Sequence, residues 1–133
     1  MEEGADGMSR GPLPKKAIAA ALVAARARGL VSLCHRSRES VCDIVIHAKS
    51  VTIDAMIRRC RRLHCSLAEM EYQFEEALAR LRLMPEDPCR SRELWACSPY
   101  GVLRFFRVLN DGLVELDSTG RLLTGTAAGG GPG

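Results

Sequence analysis

The side chains of this 133-residue chain with the widest chemical repertoire are six cysteines and three histidines. Cys60 and His64 stand four residues apart, one helical turn, with Cys65 adjacent, so two of the three could point toward one metal ion. Cys34, His35, Cys42 and His47 would have to complete that shell, and these intervals lack the tight pairs of a zinc site. Cys60 also continues an apolar series, where a free cysteine behaves as a small buried hydrophobe. A Cys-His nucleophile pair drawn from Cys65 and His64, or from Cys34 and His35, uses sequence neighbours that do not face each other on a helix. Neither GxxxxGK[ST] nor a strand-GxGxxG-helix is present. These residues predict a protein that is not an enzyme, with no metal and no cofactor.

Charge is the stronger signal. Residues 9–62 hold twelve Lys and Arg against Glu39, Asp43 and Asp54, whereas residues 63–76 hold four acids and no base. Arg58, Arg59, Arg61 and Arg62 are the densest cation, four in five residues. Such a block attracts phosphates through counterion release, anionic lipid, or an acidic protein surface. The competing reading is a solvated face partly neutralised by Glu69, Glu71, Glu75 and Glu76.

With 47% hydrophobic and 26% charged residues, and no apolar run of the roughly 18–20 residues a bilayer requires, the chain reads as one domain with no membrane span. The acidic start lacks the basic and apolar regions of a secretory signal, which argues for reduced cysteines and an intracellular setting, nucleus or cytoplasm. Translation from Met8 instead of Met1 would put Arg10, Lys15, Lys16, Arg26 and Arg28 on an alanine-rich helix with no acid before Glu39, the pattern of a mitochondrial import leader.

The elements that must position these residues read as mainly α-helical. Residues 1–13 form a disordered lead and 125–133 a flexible glycine-rich tail around a single helical domain, 14–124. Lys15 to Arg28 make the first helix, with Ile18, Leu22 and Ala25 inward and Gly29 as a left-handed stop. Ser37 caps a second helix carrying Val41, Ile44, Val45 and Ala48, a strand VCDIVIH being the alternative. Ile53, Met56, Ile57, Cys60 and Leu63 stripe a third. Ser66 and Glu69 form a capping box for a fourth that runs to Pro85. Asp87-Pro88 and Ser98-Pro99 each start a further helix, to about Ala96 and to Leu109. Leu113–Leu116 and Arg121–Thr124 then flank the turn Asp117-Ser118-Thr119-Gly120 as a two-stranded hairpin.

Helix, tight turn, helix and the ribbon DGLVELDSTGRLLT resemble the winged-helix family of helix-turn-helix domains, on the Gly-Leu-Val-Glu after the last helix and the Gly-Arg-Leu-Leu-Thr of the return strand. The resemblance covers residues 66–124 and implies a first helix at 66–84, a second at 88–96, a recognition helix at 99–109 and a wing at 113–124, below a helical bundle. On a helix, Tyr100, Arg104 and Arg107 converge opposite Val102, Phe105, Phe106 and Leu109, and arginine and tyrosine suit phosphate or base edges. Many winged helices instead bind protein subunits through this surface, and Asp111, Glu115 and Asp117 beside it oppose a phosphate backbone. The expected function is therefore a non-enzymatic subunit or adaptor of a nucleic-acid-associated complex. It would engage protein subunits, DNA or RNA through Arg58, Arg59, Arg61, Arg62, Tyr100, Arg104 and Arg107. The alternative is a helical assembly protein that forms homo-oligomers and has no nucleic-acid role.

Overall fold

Thr52–Arg59 and Arg90–Cys97 lie side by side as parallel strands, Thr52 opposite Arg90 and Arg59 opposite Cys97. A parallel pair needs a long crossover, and the thirty residues between these strands supply it with two short helices. The computed structural model describes residues 15–34 and 41–123. Its elements are α1 (Lys15–Arg28), β1 (Leu30–Leu33), β2 (Ile44–His47), β3 (Thr52–Arg59), α2 (Leu67–Gln73), α3 (Glu75–Leu81), β4 (Arg90–Cys97), β5 (Leu103–Leu109) and β6 (Gly112–Leu116). All six strands form one sheet in the order β1-β2-β3-β4-β5-β6, antiparallel except at the central β3–β4 step. The fold is therefore mixed α/β rather than mainly α, and it is not a helical bundle.

The sheet is covered on both sides. Ala21 and Ala25 of α1 pack on Ile44, Ile46, Ile53, Ala55, Ile57, Trp95, Phe105 and Leu116. On the opposite face Met70, Phe74, Leu78 and Leu81 of the α2–α3 crossover meet Met56, Leu94, Ala96, Phe106, Val108 and Leu113. Successive strand residues point to opposite faces, so β3, β4 and β5 must be apolar on both.

This double burial explains where the helical expectations fail. Ile53, Met56, Ile57 and Cys60 satisfy i, i+3, i+4, i+7 because a strand buried on both faces loses its two-residue alternation. The third expected helix is β3, residues 88–96 are mostly β4, and the expected recognition helix at 99–109 is a turn followed by β5. The helix-turn-helix that the winged-helix resemblance implies is thus not formed. The second expected helix is β2, the strand alternative, while its cap Ser37 lies outside the described residues, as do residues 1–13 and 125–133. The two-stranded ribbon is also different. Leu113–Leu116 pairs with β5, and the return segment touches β6 through a single Leu116–Leu122 bridge.

Two helical segments form where expected. In α1 the buried stripe is Ala17, Ala21 and Ala25, all fully covered, while Ile18 is exposed; alanine lets the backbone approach the sheet closely. Gly29 ends the helix without a left-handed conformation, and a Cβ there would lie 2.5 Å from the His47 carbonyl oxygen. Ser66 accepts a hydrogen bond from the Glu69 amide at 3.1 Å, one half of the expected capping box, while the Glu69 carboxylate pairs with Arg62 rather than reaching back, and Phe74 (φ −115°, ψ 35°) leaves helical geometry and divides the expected helix at 66–84 into α2 and α3.

Candidate ligand-binding site

Three consecutive same-face positions of β4, namely Ser91, Glu93 and Trp95, lie toward α1, and antiparallel pairing sets Arg107 opposite Glu93 and Phe105 opposite Trp95. Phe105 and Trp95 meet edge to face with ring centroids 4.8 Å apart. The last residue of α1, Arg28, reaches this patch. Its Nη1 donates to both oxygens of Glu93, at 2.8 and 3.0 Å, and its Nε donates to the Ser118 carbonyl at 3.1 Å. The guanidinium also lies 5.0 Å from the Trp95 ring and 5.4 Å from that of Phe105. Trp95 Nε1 donates to Glu93 Oε1 at 2.8 Å, so the carboxylate accepts three hydrogen bonds with its side chain 1% exposed.

A folded turn forms a further side of this site. The Asp117 carboxylate accepts from the Thr119 hydroxyl and from the amides of Thr119 and Arg121. These bonds hold its pKa below the usual carboxylate range, the Thr119 hydroxyl contributing most. Gly120 turns the chain at φ +93°, where a Cβ would stand 3.3 Å from the Arg28 guanidinium.

Between α1, this turn and the sheet lies a cavity of about 680 Å³, within the range of small-molecule sites. Its apolar wall includes Val23, Val51, Ile53, Leu103 and Phe105, and it opens because Ala20, Ala24 and Ala27 stand where larger side chains would fill the space. Among the described residues, the buried side-chain nitrogen and oxygen atoms without a partner are Arg28 Nη2, Ser91 Oγ and Arg107 Nε, and all three belong to residues lining this cavity. Each can donate a hydrogen bond. Arg107 makes no hydrogen bond or ion pair with any described residue, and Arg121 adds a further cation at the rim. With Glu93 the only carboxylate among the lining residues, the wall carries an excess of positive charge.

The residues singled out from the sequence are dispersed. Residues 104 and 107 fall on opposite faces of β5, because an odd separation along a strand reverses the side chain. Arg104 binds both oxygens of Glu115, at 2.8 and 2.9 Å, and the carbonyls of Leu63 and Cys65, which fixes the chain before α2 to the sheet. The Glu115 hydrogen bonds raise its pKa further. Tyr100 is exposed in the β4–β5 turn. Arg58 is paired with Asp43 at 3.0 Å, and Arg62 with Glu69 at 3.2 Å on the surface. Arg59 and Arg61 are exposed with no described partner. Cys60 lies in the α2–α3 core, His64 is exposed, and His35 lies outside the described residues. His47 Nε2 is 3.2 Å from Ser32 Oγ, with no described acid on the other ring nitrogen.

Sequence reasoning found Arg107 but missed Arg28, Ser91, Glu93 and Arg121. Read as a strand, SRELWAC puts Ser91, Glu93 and Trp95 on one face, and a polar pair beside a tryptophan in a buried strand is the signal that was present. Among the described residues, no helix is long and apolar enough to cross a membrane. No protein-family model, curated protein or solved structure matches this chain.

Proposed function

We propose that this protein is a non-catalytic binding module that takes a small amphipathic organic anion, a carboxylate on a short hydrocarbon body, into the cavity between α1 and the sheet. The observation that carries this reading is that the three unpartnered buried polar atoms of the described residues are hydrogen-bond donors, and all three belong to residues that line one cavity. A buried donor left unsatisfied costs about 1–3 kcal/mol, and a carboxylate satisfies several donors through charge-assisted bonds. The aliphatic wall and Phe105 suit the hydrocarbon part. Glu93 is already engaged by Arg28 and Trp95, and Ser91 has no base in contact among the described residues, so the site is suited to holding a ligand rather than transforming it.

Titration calorimetry with octanoate and octanol tests this reading. Octanoate should bind at least tenfold more tightly than octanol. Arg107→Gln should weaken octanoate about tenfold, and Ala24→Leu should block both probes by filling the cavity. Equal affinities for octanoate and octanol, or an Arg107→Gln variant that binds octanoate as well as the parent, would sink the proposal.

A second reading is favoured by Arg59 and Arg61, exposed beside the loosely paired Arg62. In it the protein is a non-enzymatic subunit or adaptor of a nucleic-acid-associated complex that uses the β3 end as its cationic contact.

A further inference from the structure

The pairing of β1 with β2 continues one residue beyond Leu33 and Ile44, because the Cys34 amide donates to the Asp43 carbonyl at 2.9 Å. That bond brings Cys34 against Cys42, the residue before Asp43. Their sulfurs stand 3.1 Å apart, and both residues are partly exposed. About 1 Å of closure reaches the ~2.05 Å bond of a disulfide. The other described cysteines have no such partner. Cys60 and Cys97 are buried, Cys65 accepts a hydrogen bond from Gln73, and Cys89 is exposed at the start of β4.

We propose that Cys34 and Cys42 are a reversible modification site, a dithiol that exchanges with small-molecule disulfides of the glutathione type to form an intramolecular disulfide. The reaction balances as two protein thiols plus one oxidised glutathione giving one protein disulfide plus two glutathione thiols. Burial pushes the Cys42 thiol up to about 12, helped by its hydrogen bond to Cys34 and by the charges of Cys34, Asp54 and Asp43. Cys42 is therefore the poorer nucleophile of the pair, and the first attack falls to Cys34. That attack breaks the glutathione S–S bond, joins one half to Cys34 and releases the other as thiolate, which takes up a proton. Cys42 then gives its proton to solvent and displaces the second glutathione from the Cys34 sulfur. The product closes a ring over residues 34–42 and pins β1. This strand is the sheet's edge, with Leu30 and Leu33 exposed.

Peptide mapping of the full chain after incubation in oxidised glutathione, with free thiols alkylated before digestion, is the test. The expected product is lighter by two hydrogen atoms, carries a Cys34–Cys42 cross-link, returns to dithiol with reduced glutathione, and gains about 5–10 °C in Tm. Cys42→Ser should stop at a glutathione adduct on Cys34, whereas Cys34→Ser should leave Cys42 unmodified. The proposal is overturned if both wild-type cysteines are alkylated in full while circular dichroism shows a folded chain, if the cross-link forms only in denaturant, or if Cys34 links equally to Cys89. Equal adduct formation by the two serine variants would refute the order of attack. The wild-type map needs no variant to fold, and octanoate binding plays no part in it.

Discussion

Arg28 and Glu93, sixty-five residues apart, form an ion pair whose side chains are only 4% and 1% exposed, and this pair joins the end of α1 to the middle of the sheet. Burying two charges is costly unless their remaining polar atoms are satisfied. Glu93 meets that condition, whereas Arg28 keeps Nη2 buried and unpartnered. Glu93→Gln leaves Trp95 an acceptor but strands the Arg28 charge. Urea unfolding should show a loss of about 3–5 kcal/mol. The double variant Arg28→Met with Glu93→Gln, which removes the stranded charge, should recover more than half of it. A double variant no more stable than the single one would show that the contact is not a coupled pair.

Gly120 meets two constraints at once. Its φ of +93° disfavours any side chain, and a Cβ would press on the Arg28 guanidinium from 3.3 Å. Gly120→Ala should lower stability by about 1–3 kcal/mol and should also weaken octanoate, because the displaced group belongs to a residue that lines the cavity. Gly112→Ala is the control. It lies at an ordinary φ, a Cβ there would come no nearer than 4.0 Å to the far end of Glu71, and the change should leave octanoate affinity unchanged.

Acid should loosen the same turn. The folded-state pKa of Asp117 lies below its unfolded value, so the carboxylate's contribution is fully present above the ordinary aspartate range and is lost as pH falls through the lowered pKa. Amide exchange of Thr119 and Arg121 should rise below about pH 4 while the β3 and β4 amides stay protected. In Asp117→Asn the two amides should exchange faster at every pH, with the acid-dependent step removed. A step that persists in that variant would assign the transition to another carboxylate.

How much of this was legible in the sequence follows from what one-dimensional patterns record. Local signals survived. The Ser66–Glu69 cap and the alanine-rich stretch before Gly29 are set by neighbours within a few residues, and each marks a real helix end. The turn from Asp117 to Gly120 is equally local, its Gly120 amide bonding the Asp117 carbonyl at 3.0 Å. The strands were not legible because three of them are buried on both faces, where an apolar spacing of three and four residues arises without a helix. Phe105 and Phe106 show this well. They face opposite cores of the sheet, although their adjacency suits one broad helical stripe. The candidate site was lost with the strands, because Arg28, Ser91, Glu93 and Arg107 meet only once β4 and β5 are paired. Counting charges along the chain also does not reveal which are engaged internally, as Arg58, Arg104 and the buried Arg92 are by carboxylates and carbonyls.

The number of arginines still facing solvent sets what nucleic acid can gain from this chain. Arg59 and Arg61 have no described partner, and Arg62 has an exposed one that competes weakly, since surface pairs contribute about 0–1 kcal/mol. Arg58 is held by Asp43. If the β3 end contacts a duplex, the slope of log K against log salt should approach about 0.9 for each phosphate neutralised, hence near 2.7 rather than the value of near 3.6 that four arginines would give. Arg58→Gln should leave that slope unchanged. The joint change Arg59→Gln, Arg61→Gln and Arg62→Gln should abolish it while octanoate still binds, because none of the three lines the cavity. A slope lowered by Arg58→Gln would mean that its bond to Asp43 opens on binding, and persistence of the slope in the triple variant would move the contact elsewhere on the sheet.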